Sequence, residues 1–324
     1  MEKKRRVASF NVLMQHMRRS GLNINGSYQK RQLMLMGYFH GYKGYRFSKV
    51  PQNRIPFQSF PEIQAVVDFD EKIKMLLYRP IMQLETALKS IVTDIVIKEA
   101  KSDSFNAIFN ELMRSPRKCQ SNNYPQKHKM RDEIYSSLTK AYSSKYDKIV
   151  SHYYNEDRYV PIWAVFEIIT LGAFGSFVDN LHPRIKETIS AELKLPKYCN
   201  TNGSLLPYII FVLRDLRNAV AHNNVIYDGR YRRHSAKNAL VQCLSKETNV
   251  RDITFESFFD DVVLIVYLQK QLRFKKKPIL SFIREIEFAI RELYERLGPS
   301  LYMSIIPNNS LNKLKDIEKY LKLK

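Results

Sequence analysis

Between Phe69 and Ile95, apolar side chains return at Phe69, Ile73, Leu76, Leu77, Ile81, Leu84, Leu88, Ile91 and Ile95. Steps of three and four residues line one face of an α-helix, whereas a half-buried strand alternates every second residue. The stripe carries on to Lys98, and Pro80 within it is expected to kink or divide the helix. No strand-alternating run stands out, and the remaining periodic stretches are helical too. Gly (10) and Pro (13) are too scarce in 324 residues for a turn-rich β fold or a long disordered linker. The sequence therefore predicts an all-α chain: a helical bundle with a basic N-terminal helical extension and C-terminal helices.

In chain order, helices are expected over residues 8–19, stopped by Ser20-Gly21, and from a Ser27 cap through Met36. Gly37, Gly41 and Gly44 then oppose a helix. Residues 51–61 read as a turn-rich link. Three regions follow: a basic N-terminal part over 1–60, a helical domain over 61–300 and a final amphipathic helix within 301–324. A polar, basic surface loop is expected over 114–128. Further helices are expected over 130–146, 161–177, 257–273 and 279–297, with a turn over 200–204 and a basic loop over 225–234. Gly172 and Gly175 signal a close helix contact or a break. Leu311, Leu314, Ile317 and Leu321 mark the last helix. No internal repeat or Gly-rich phosphate loop stands out.

Charge narrows the choice of partner. The formal net charge is +21, and residues 1–60 hold twelve Lys/Arg against Glu2 alone. Such a balance favours polyanions, and nucleic acid before a membrane surface, since no convincing amphipathic anchor is present. The longest apolar runs, such as Val262–Leu268, are too short to span a bilayer. Cys119, Cys199 and Cys243 are scattered and odd in number, which fits neither a disulfide framework nor a metal-ligand cluster. A reducing cytoplasm is the expected compartment, and no metal or cofactor is expected. Residues 37–47 interleave aromatics with cations. Tyr38, Tyr42 and Tyr45 either stack on bases beside Lys43 and Arg46 or pack this segment onto the core. Arg230, Arg232 and Arg233 form a second basic candidate for RNA.

Chemistry concentrates in Arg217-Asn218-Ala219-Val220-Ala221-His222, at the polar end of an amphipathic helix beginning near Leu205. Asn218 and His222 are four residues apart and share a face, so the amide is expected to orient the imidazole. Arg217 and His222 are five apart and diverge by roughly 140°. Either the helix unwinds at His222, or a second copy brings its own motif across a two-fold axis. The residue types suit metal-independent RNA cleavage. Attack by the 2′-OH needs a base, the leaving 5′-oxygen an acid, and the phosphorane a fixed cation. Histidine serves both proton transfers, and arginine holds phosphate oxygens in a fork. The macrodipole at a helix C-terminus also favours positive charge. By itself, an Arg and a His at this spacing is a common pattern.

The six residues RNAVAH resemble the RNxxxH-type signature of HEPN ribonuclease domains. Other segments are similar, in the same order, to the Abi-like (abortive infection) proteins of the AbiD/AbiF type. Residues 33–47 (LMLMGYFHGYKGYRF) resemble their N-terminal aromatic-glycine segment. Residues 76–90, with Glu85 and Lys89, resemble an acidic-basic helix. Residues 160–181, through Pro161, Trp163, Glu167 and Gly172, resemble a third. Asn223–Tyr227 departs from the run that often follows the histidine in the family. The resemblance implies a HEPN fold, a homodimer, kinship with type VI CRISPR effectors, and an endoribonuclease acting in phage defence. Arg217, Asn218 and His222 would then be catalytic. Glu85, Lys89 and Glu167 would support them from neighbouring helices, without catalysing. The charge adds the expectation of a structured noncoding RNA that restrains or guides the nuclease. The alternative is a non-catalytic RNA-binding or regulatory module on the same fold.

Overall fold

A computed structural model describes residues 9–114, 126–144, 148–232 and 237–323. The chain runs α1 (Phe10–Arg19), α2 (Gly26–Met36), a π turn (Tyr38–Lys43), α3 (Phe60–Ala100), α4 (Phe105–Leu112), α5 (Gln126–Tyr142), α6 (Lys148–Asn155), α7 (Ile162–Ile168), α8 (Leu171–Asn180) and α9 (Pro183–Glu192). Two single 3₁₀ turns (Lys197–Cys199 and Thr201–Gly203) lead into α10 (Leu205–Ala221). Then come α11 (Asn238–Thr248), α12 (Phe258–Gln271), α13 (Lys276–Met303) and α14 (Ser310–Lys322). Among the described residues, β pairing is confined to isolated bridges such as Asn23 with Ser59. The all-α expectation holds. No helix among the described residues is long and apolar enough to cross a membrane.

The backbone of the fold is α3, 41 residues or about 60 Å long. Its first turn is closed by Glu62, whose carboxylate accepts from the N–H of Ser59 at 3.1 Å and of Gln58 at 2.7 Å. Lys101, in the left-handed conformation, ends it. Pro80 does not divide it. One ladder bond is lost, but the ring is buried and apolar side chains on either side continue the stripe into the core. Helices α4, α9, α10, α12 and α13 pack around α3. In α12 every residue from Phe258 to Gln269 is buried, as expected of a helix surrounded by others.

The helix expected over 161–177 is two helices. Ile169 is extended, and Thr170 caps α8 by accepting from the Ala173 N–H at 3.1 Å. Gly175 marks the close contact: a Cβ there would sit 2.6 Å from Phe211 Cε1 on α10. The π turn replaces the irregular segment expected after α2. Of the basic loop expected over 114–128, residues 115–125 lie outside the described residues.

Candidate active site at the end of α10

Leu205, Leu206, Ile209, Ile210, Leu213, Leu216 and Ala219 form the buried stripe of α10. The helix ends at Ala221 in a Schellman arrangement. His222 leaves helical geometry (φ −100°, ψ 14°), and its N–H donates to Asn218 O at 3.0 Å. Asn223 follows with φ 51°. The Asn224 N–H returns to Ala219 O at 2.9 Å and the Asn223 N–H to Val220 O at 3.4 Å. Asparagine suits this position because it tolerates the left-handed region better than other non-glycine residues. Its side chain is tied down as well: Lys74 Nζ on α3 donates to Asn223 Oδ1 at 2.7 Å. His222 is thus held by backbone on both sides while its ring is exposed, with no hydrogen-bond partner among the described residues.

Arg217 points to α3. Its Nε donates to Glu85 Oε2 at 3.3 Å, and the other Glu85 oxygen is 2.9 Å from Lys89 Nζ. Glu85 and Lys89 are buried, while Arg217 is half-buried. Burial pushes the Glu85 carboxyl up, but Lys89 and Arg217 outweigh it and hold the group below its ordinary value. The guanidinium is bound along one edge by Glu85, and Nη1 donates to Asn218 Oδ1 at 3.1 Å. The expected contact between the Asn218 amide and the imidazole is therefore not made. Asn218 lies on α10 and His222 caps it outside helical geometry, and the amide oxygen is engaged one residue back, so Asn218 holds Arg217. Glu167 is exposed on α7 and makes no ion pair among the described residues.

The chain after the cap is fastened to α3 and to the N-terminal segment. Asp70, fully buried, accepts from the N–H of Ile226 (3.1 Å) and Tyr227 (2.9 Å) and from Tyr45 OH (2.7 Å), and lies 2.8 Å from Lys74 Nζ. Tyr227 OH donates to Phe47 O at 2.9 Å. These bonds correct several expected RNA contacts. Tyr45 is buried on Asp70, and Tyr42 is buried as well, so neither ring is open to a base. Arg230 is neutralised by Asp228 (Nε to Oδ1, 2.9 Å) and donates to Gly44 O at 2.6 Å. Arg232 is paired with Asp261, which also accepts from Tyr231 OH. Tyr38 is half-buried against Tyr42, with ring centroids 5.4 Å apart. Lys43 is exposed and Arg46 half-buried. Arg233 lies outside the described residues.

Asp70, Lys74 and Asp228 were not anticipated at the site. The signal for the first two is a charged i, i+4 pair next to Phe69 and Ile73 of the apolar stripe, and for Asp228 its position two residues before Arg230. Among the described residues, no group of three His, Cys, Asp or Glu is arranged to hold a metal ion. A protein-family model described as Abi-like protein matches residues 31–228, well over half of the chain and all of the contacts around Asp70, Glu85 and His222. No curated protein and no solved structure matches.

Proposed function

The chain belongs to the Abi-like protein family, and from that premise we propose that it is a metal-independent endoribonuclease of HEPN type, acting in phage defence by abortive infection. The observation that carries this reading is a clamped cation and, at the same helix end, an exposed imidazole on a held backbone. Glu85 and Asn218 hold Arg217 at its Nε and Nη1, and the Schellman turn holds His222. In the proposed reaction His222 takes the proton of the 2′-OH as that oxygen attacks the adjacent phosphorus. The bond to the 5′-oxygen breaks, and the imidazolium returns a proton to the leaving 5′-oxygen, giving a cyclic phosphate and a free 5′-hydroxyl. Arg217 stabilises the charge that gathers on the phosphate oxygens. Asn218 positions the guanidinium. Arg217 turns toward α3 while His222 caps the helix in the open. This divergence supports a reading in which the working groups come together between two copies related by a two-fold axis, and the proposed compartment is the cytoplasm.

The test is cleavage of single-stranded RNA in EDTA by wild type, His222→Ala and Arg217→Ala. Each variant is expected to lose about 10²–10⁴-fold in rate, the range of a general acid–base or oxyanion contribution. Wild-type rates in both would sink the reading, and binding without products in the wild type would leave a regulatory RNA-binding module. A structured noncoding RNA that restrains the enzyme is part of the same proposal, motivated by the net charge of +21. Purification from the native host at moderate salt should then yield a discrete co-purifying RNA, and its absence would count against that part.

A further inference from the structure

Beside the α10 cap lies a groove of about 390 Å³, walled on one side by the segment after α2 and on the other by the residues that follow His222. Lys43, Arg46, Phe47, Asn224, Val225 and Tyr231 line it. No aspartate or glutamate is among its lining residues. Arg230 also reaches it, but its charge is matched by Asp228 at 2.9 Å. Lys43 and Arg46 differ: neither has a carboxylate within ion-pair distance among the described residues. Lys43 Nζ lies 5.5 Å from the centre of the Tyr38 ring. The floor is apolar, with Phe47, Val225 and Tyr231 all half-buried. Tyr231 donates its hydroxyl to Asp261. Guanidinium groups lie over the two aromatic rings, Arg230 at 4.3 Å from the centre of Phe47 and Arg232 at 5.2 Å from that of Tyr231, so each ring has its remaining surface to offer the groove. Asn224 is two residues from His222, so the groove wall begins within about 8 Å of the candidate catalytic residue.

Resting on the nuclease reading above, we infer that this groove is the subsite for the nucleotide flanking the scissile phosphate of a single-stranded RNA. Lys43 and Arg46 take backbone phosphates, while Phe47, Val225 and Tyr231 offer the base an apolar wall. Unmatched cations over an apolar floor, with no acid in the lining, fit a phosphate joined to a flat apolar ring system. The groove of about 390 Å³ is on the scale of one nucleotide, and a single strand, unlike a duplex, leaves a base free to enter it. The subsite uses two of the expected RNA residues, Lys43 and Arg46, and replaces Tyr42 and Tyr45 by Phe47 and Tyr231.

The experiment is fluorescence anisotropy with a labelled single-stranded oligoribonucleotide. The full chain carries His222→Ala to stop turnover, and binding is followed across a salt series. Adding Lys43→Ala and Arg46→Ala is expected to weaken binding about tenfold and to flatten the slope of log K against log salt by about 1.4, two phosphate contacts on a single strand. The charge-matched pair Lys276→Ala and Lys277→Ala, exposed at the start of α13, is expected to leave affinity near its starting value. Unchanged affinity and slope in the Lys43/Arg46 variant would overturn the subsite, as would an equal loss in the Lys276/Lys277 control or equal binding of a duplex. The two readings fail separately. Weakened binding by the groove variant, with a wild type that never cuts, keeps the groove and removes the nuclease. Unchanged binding, with cleavage that depends on His222, does the reverse.

Discussion

Glu85 serves two cations, and that sets what its loss should do. Its carboxylate is buried between Lys89 at 2.9 Å and Arg217 at 3.3 Å. Glu85→Gln leaves Lys89 buried beside a neutral amide and removes the anchor of Arg217. Stripping one partner from a buried pair costs about 3 kcal/mol, a loss that urea denaturation at neutral pH should read. The pH dependence follows from the direction of the shift. Glu85 is held below its ordinary value in the folded chain, so its contribution is complete above the unfolded carboxylate value of about 4.3. It fades as pH falls through the lower, folded value. The stability gap between wild type and Glu85→Gln should therefore close in acid, and a gap that widens there would contradict the assignment. RNA cleavage by Glu85→Gln should also fall at temperatures where the variant is still folded, because its guanidinium is no longer fixed along that edge.

At the scale of elements, the turn that ends α10 is the joint of the site. Asn223 carries both a left-handed backbone (φ 51°) and the Lys74 hydrogen bond at 2.7 Å. Asn223→Gly keeps the backbone and loses the bond, whereas Asn223→Ala loses both. Thermal unfolding should rank wild type above Gly and Gly above Ala, with the last step worth about 1 kcal/mol. An alanine variant as stable as the glycine one would mean that the turn is not holding the helix end. How such elements read from sequence depends on their length and partners. The stripes of α3, α10, α12, α13 and α14 repeat often enough to be legible. Helices α4, α6, α9 and α11 run only two or three turns, and none was expected; α1 and α2 are as short, but Ser20-Gly21 and Gly37 mark where they stop. The break at Thr170 hangs on one cap, and the π turn on a segment whose glycines argued against any helix. Around the candidate site, the supporting part of Glu85 was expected from the family resemblance, while the position of Arg217 and His222 at the polar end of α10 was legible from spacing. The partner of Asn218 was not, because it turns on a rotamer. Nor was Asp70, since two of its donors are backbone N–H groups 156 and 157 residues away. Arg230 and Arg232 read as free charge because sequence shows a cation more readily than the carboxylate folded against it.

At the scale of the whole molecule, the proposed nuclease turns on which Arg217 would serve which His222. Within one chain the guanidinium is drawn to Glu85 on α3, while the imidazole stands exposed at the cap of α10. Two copies meeting at their α10 ends would form two equivalent sites by symmetry, each able to take its arginine from one protomer and its histidine from the other. That arrangement predicts complementation between dead variants. Arg217→Ala and His222→Ala, each inactive alone, are co-expressed with different tags and allowed to pair at random. Half of the dimers are then mixed. In a mixed dimer one site has lost both groups and the other has kept both, so about a quarter of wild-type cleavage should return. If each site instead drew both groups from its own chain, every site in the mixture would lack one of them and no activity would return. The two outcomes differ by the full recovered rate, and mixed dimers isolated through both tags should carry about half of wild-type activity.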